Sequence, residues 1–159
     1  VGRYGLISRS ISGVNNQSPI LTRDTISPAL ARMSAALRDR RPVLGAMGLA
    51  LASLTRRTWR DASLRALPWP ATQTGRPILY RSGALVQSIR VVEVTNSSVT
   101  VGTDRPYAVF HQFGTRKTEK HAGLPARPFF PFDASGRMLA MAQRKIELAG
   151  NAALASLLK

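Results

Sequence analysis

The sequence predicts an α+β fold, in which helices pack on one face of a small, mostly antiparallel sheet and a long C-terminal helix closes the domain. Three observations carry that reading. Apolar residues recur at helical spacing in two long segments, residues 43–62 and 134–159. Two short runs rich in β-branched residues, 90–95 and 99–102, flank the turn-forming Asn96-Ser97-Ser98 and so read as one β-hairpin. Between the first helices and that hairpin, Pro68, Pro70, Gly75 and Pro77 impose a loop over residues 67–77.

Taken in chain order, residues 1–26 are rich in Ser, Asn, Gly and Thr and read as an extended N-terminal arm, with a strand-like pattern only at residues 5–11. Residues 27–159 read as a single domain. Its first helix starts at Ser27-Pro28, where serine is a good N-cap and proline suits the first helical position. Leu30, Met33 and Leu37 then share a face, and Arg38, Arg40 and Arg41 suit the helix C-terminus. The core helix follows Pro42, with Leu44, Met47, Leu51 and Leu54 as its stripe. Gly45 and Gly48 either weaken that helix or admit a close neighbour.

Trp69, in the proline-rich loop, is expected to pack back onto the domain. Ser82 is placed to cap a short helix over residues 82–89, burying Leu85 and Ile89. Asp104 is placed to cap another, with Pro106 in its first turn, Tyr107, Phe110 and His111 at helical spacing, and Gly114 at its end. Gly102 and Gly114 read as turn positions that permit positive φ. Residues 115–124 hold Arg116, Lys117, Glu119, Lys120 and His121 with no apolar period, and read as an exposed, mobile basic loop. Phe129-Phe130-Pro131-Phe132 reads as a short buried strand or anchor. In the last helix, Leu139, Ala142, Ile146, Ala149, Ala153 and Leu157 share a face.

Composition narrows the function. Lysines and arginines number 23 against 8 acids, a formal net charge of +15, and 19 of the 23 are arginine. Such a charge attracts polyanions and makes copies of the chain repel one another. Without cysteine, disulfides, thiolate nucleophiles and cysteine-ligated zinc are excluded. The two histidines, His111 and His121, are spaced unlike common metal motifs, so no metal is expected. Ser82 or Ser88 with His111 and Asp133 makes a triad only on paper, without a nucleophile elbow. No phosphate loop or dinucleotide fingerprint is present either, so neither cofactor nor catalysis is expected. The longest apolar run is too short for a membrane span, and residues 1–6 carry no signal-like apolar stretch, which suits a soluble protein made in a cytoplasm.

Four short motifs occur in a fixed order: Ser82-Gly83-Ala84-Leu85-Val86-Gln87-Ser88, Val101-Gly102-Thr103, Tyr107-Ala108-Val109-Phe110-His111-Gln112-Phe113-Gly114, and Ala126-Arg127-Pro128-Phe129. In these the chain resembles the phage virion morphogenesis family, whose pattern is Ser-Gly-x-Leu-x-x-Ser, Val-Gly-Thr, Tyr-Ala-x-x-His-Gln-x-Gly and Ala-Arg-Pro-Phe. The likeness spans residues 43–159; Thr58-Trp59 and Trp69 match the family's upstream positions only approximately, and residues 1–26 have no counterpart. The resemblance implies a structural protein of the neck or tail top of a tailed bacteriophage, a tail-completion or head-tail joining subunit. By the same resemblance it forms a homo-oligomeric, hexameric ring in the virion and is made in the bacterial host cytoplasm. Its implied partners are copies of itself and other neck, connector or tail-tube proteins, with non-specific contact to packaged DNA and no membrane. It implies no catalytic residues. Arg127 is then a candidate to pair with Asp104, Asp133 or a neighbouring subunit, and Arg116, Lys117 and Lys120 to touch phosphate or an acidic neighbour. The alternative is a free basic DNA-binding protein.

Overall fold

The computed structural model describes residues 26–72, 79, 82–119, 122–133 and 135–159. Its elements are α1 (Ile26–Arg38), α2 (Arg41–Arg57), a 3-10 turn (Ala62–Leu64), α3 (Ala84–Ser88), β1 (Arg90–Val94), β2 (Val99–Gly102), α4 (Ala108–Phe113) and α5 (Ala140–Leu157). The expected N-terminal arm lies outside the described residues except for Ile26, which opens α1. Among the described residues no helix is long and apolar enough to cross a membrane.

Helix α2 is the axis of the α+β arrangement. The antiparallel β1–β2 hairpin packs on one side of it and α5 on another. Gly48 makes the first contact close: a Cβ there would sit 2.5 Å from Val99 Cγ2 and 3.2 Å from Val91 Cγ2. Gly150 does the same for α5, where a Cβ would lie 3.0 Å from the Met47 side chain. Met47 faces Gly150 while Leu54 packs with Ala142 and Ile146, so α2 and α5 run antiparallel. Leu64, Leu51, Met138 and Leu139 complete that cluster. A second cluster joins Ala52 to Trp69, Leu85, Ile89, Ala108 and Phe129. Ile89 and Phe129 are 0% and 1% exposed, and full burial of such side chains is worth about 1.5–3 kcal/mol each.

The hairpin pairs Val91 with Val101 and Val94 with Val99, with a bulge between Val91 and Glu93. Strict alternation along Arg90-Val91-Val92-Glu93-Val94 cannot put Val91 and Val94 on one face. The bulged residue, Val92, resets the register, so both valines turn towards α2 while Val92 and Glu93 stay exposed. Asn96, in the connecting turn, ties the hairpin to the α1–α2 link: its Oδ1 accepts from Arg40 N at 2.6 Å and its Nδ2 donates to Arg38 O at 2.7 Å. In the same link Asp39 accepts from the Arg41 side chain at 2.8 Å, and that hydrogen bond holds its carboxyl at about 2.

Several boundaries differ from the sequence expectation. Helix α2 ends at Arg57 rather than near Ala62, because the buried Thr58 hydroxyl donates to Thr55 O at 2.7 Å, with Phe129 O at 3.2 Å. The last helix begins at Ala140 rather than Ala134. Asp133 Oδ1 instead collects Ser135 N and Arg137 N, both at 2.9 Å, and closes a turn that the Phe132–Met138 bridge completes. Asp104 does not cap α4; its carboxylate pairs with Arg90 at 3.1 Å and Arg105 at 3.4 Å, and α4 starts after Tyr107. The cap of α3 is Gly83, at φ 72°, while Ser82 Oγ accepts from Ala84 N at 3.3 Å. Gly102 is a strand residue without positive φ, whereas Gly114 has φ 73° and ψ 179°, a region that essentially only glycine occupies.

The two α2 glycines should respond oppositely to the same change. Nothing lies within 4 Å of a Cβ at Gly45, so Gly45→Ala should stabilise by about 0.5–1 kcal/mol through helix propensity. Gly48→Ala forces Val99 and Val91 away and should cost about 1–3 kcal/mol. Thermal melts of both variants, read as ~2–4 °C per kcal/mol for a chain of this size, check the pair.

Candidate functional site

The four motifs meet in one place, and their polar residues are spent on holding it together. Ser88 Oγ lies 2.8 Å from Leu85 O and 2.5 Å from Thr103 Oγ1, which joins α3 to the end of β2. Gln112 Oε1 accepts from Phe129 N at 3.0 Å and Phe130 N at 3.1 Å, and His111 O accepts from Arg127 N at 2.7 Å. Helix α4 is thereby clamped onto the 126–132 segment. Trp69 Nε1 donates to Pro128 O at 2.9 Å, as its expected packing requires, and Trp59 stands edge-on to Trp69 with ring centres 5.6 Å apart. The aromatic series continues from Trp59 to Phe129, Phe130 and Phe132.

Arg127 is 8% exposed and pairs with neither Asp104 nor Asp133. Its Nε donates to Pro70 O at 3.2 Å and its Nη2 to Ala71 O at 3.4 Å. It therefore fastens the proline-rich loop. Asp133 pairs with Arg137, and its carboxyl is held below the usual range first by the Ser135 hydroxyl. Gly114 is required where it stands, since a Cβ there would meet Leu124 O at 2.7 Å and Ala126 N at 2.8 Å.

The outward surface of this unit is apolar. Val109, Phe110 and Phe113 are 50%, 51% and 75% exposed, and Leu67 beside them is 55% exposed. Leu67, Val109 and Phe113 line an open groove of about 1030 Å³ together with Val101, Phe130 and Phe132. The sequence reading missed Val109, Phe113 and Leu67. The available signal was that Val109, Phe110 and Phe113 occupy the three unspecified positions of Tyr-Ala-x-x-His-Gln-x-Gly. Tyr107, partly exposed, rests edge-on against His111 at 5.9 Å.

The basic loop is closed at its base: Thr115 N donates to Leu124 O and Leu124 N to Thr115 Oγ1, each at 2.8 Å. Arg116 and Lys117 are exposed, while Lys120 and His121 lie outside the described residues. Among the described residues no cluster of His, Asp and Glu could hold a metal. No Ser-His-Asp relay forms among them either, since Ser88 and Asp133 are bonded elsewhere and His111 Nδ1 is buried without a partner there.

Burial, and then the charge of Arg127, lower the pKa of His111 below its ordinary 6.5. The folded chain therefore binds this proton less readily than the unfolded one, and stability should fall as pH drops below the unfolded value of about 6.5 until the folded pKa is passed. His111→Gln should remove that component. Thermal melts of wild type and variant between pH 7.5 and 5 check it, the wild type losing more of its Tm.

The chain matches the phage virion morphogenesis family over residues 21–142. It is also 30% identical over 105 residues to the Mu-like prophage FluMu G protein 2 of Haemophilus influenzae, covering 65% of this chain and 75% of that protein. No solved structure matches it significantly. A match over most of the chain assigns a role in building the phage particle: the chain belongs to the phage virion morphogenesis family.

Proposed function

We propose that the chain is a ring-forming structural subunit of the phage neck or tail top, completing the tail or joining it to the head, and that it performs no catalysis. The observation that carries this reading is the division of labour in the motif unit. Its polar side chains turn inward to bond backbone, and it presents an apolar face and groove outward. A surface of that kind suits contact with protein better than chemistry on a small substrate. The partners are further copies of the chain and the connector or tail-tube proteins above and below, with packaged DNA passing close by.

The alternative, a free DNA-binding protein, rests on the +15 charge. Part of that charge is committed internally. Arg56, Arg65 and Arg127 donate to backbone carbonyls, and Arg41, Arg90, Arg105 and Arg137 pair with aspartates.

Deleting the gene from a phage that carries it tests the proposal. Electron micrographs of the lysate should show heads and tails that fail to join, with infectious titre reduced by orders of magnitude, and both restored by the wild-type chain in trans. Intact particles at normal titre would show the proposal to be wrong.

A further inference from the structure

Among the described residues, helix α1 turns its apolar stripe outward. Ile26, Leu30, Met33 and Leu37 follow one another at gaps of four, three and four residues, the spacing of an apolar helical seam. In the folded chain that seam faces outward, with the four side chains 65%, 59%, 49% and 70% exposed, and only Ala36 is buried. A helix of 13 residues has little stability of its own in water and normally relies on its covered apolar face. This one is attached mainly through α5 and through the Asn96 bonds at its C-terminal end.

We infer that the α1 stripe of one subunit docks in the α4 groove of a second copy, so that successive subunits associate head to tail. Three features single out that occupant. The first is placement: α1 is pinned at the turn of the hairpin, through Asn96, whereas the groove is lined by Val101 and Thr103 at the opposite end of β2. The strands separate these ends by roughly 13–16 Å at ~3.3 Å per residue. Two different patches on one subunit make a heterologous contact, the type that closes into a ring where the rotation between copies allows it.

The second is size. Half-exposed side chains of this kind leave on the order of 100 Å² each, so either patch reaches the few hundred Å² that marks a contact site. Joined as a helix in a groove, they approach the ~1,000 Å² of a specific interface.

The third is charge. The only ionisable side chains on α1 are Arg32 and Arg38, so two α1 helices laid together would set cation against cation. The ionisable side chains lining the groove are instead one cation, Arg105, and one anion, Asp133, so it sets no net charge against the α1 arginines.

This inference rests on the ring reading, and a mixing experiment separates the two. The full chain, a Leu30→Gln/Leu37→Gln variant and a Val109→Gln/Phe113→Gln variant are compared by native mass spectrometry, with circular dichroism to establish that each variant folds. All four positions are solvent-exposed, so the monomer Tm should stay near wild type. Wild type should form closed oligomers, more completely as salt screens its net charge. Each variant alone should be reduced at least tenfold in oligomer at the same concentration. An equimolar mixture of the two variants should give a heterodimer and nothing larger, because only one intact stripe and one intact groove remain. A wild type that assembles while either variant assembles equally well, or a mixture that stays monomeric, overturns the docking inference and leaves the ring reading standing. A wild type that stays monomeric at every salt concentration overturns both.

Discussion

The close approach of α2 to its two neighbours is the constraint on which the rest of the structure depends. Gly48 lets the hairpin valines lie against the helix backbone, and Gly150 lets α5 settle over Met47. A two-stranded sheet is marginal on its own, so β1 and β2 persist because α2 covers one of their faces. The bulge at Val92 follows from the same demand, since it brings Val91 and Val94 together onto the covered face. Once the hairpin is held, the end of β2 fixes where Thr103 stands, and Thr103 fixes α3 through Ser88.

The motif unit depends on that frame in turn. Helix α4 has only six residues and no side-chain cap, too short to persist alone. Gln112 and the His111 carbonyl bind it to the 126–132 segment, which Trp69 and Thr58 hold from the far side. Segments without regular structure are thus ordered by hydrogen bonds to main-chain groups, each of which would otherwise be costly to bury. The result is a hydrogen-bonded mount for an exposed apolar face.

The net charge has a different place in this account. Exposed ion pairs such as Arg41–Asp39 contribute little to folding. The buried guanidinium of Arg127 does structural work by donating to carbonyls of the proline-rich loop. A surplus of surface cations makes copies of the chain repel one another and so penalises non-specific contact between them.

Periodicity and turn chemistry determined the element order: the helical stripes, the hairpin around Asn96-Ser97-Ser98 and Gly114 as a helix stop. These are local properties, set by side-chain spacing and backbone preference. Tertiary contacts decided the rest. Asp104 reads as a helix cap, yet Arg90 recruits it from 14 positions away, and the Ser135–Arg137 turn on Asp133 occupies the stretch where the sequence places the start of the last helix. The stripe of Leu30, Met33 and Leu37 is the same whether its face is buried or bare. Spacing reports amphipathicity, but only the position of α1 on the folded chain reveals that nothing among the described residues covers the stripe.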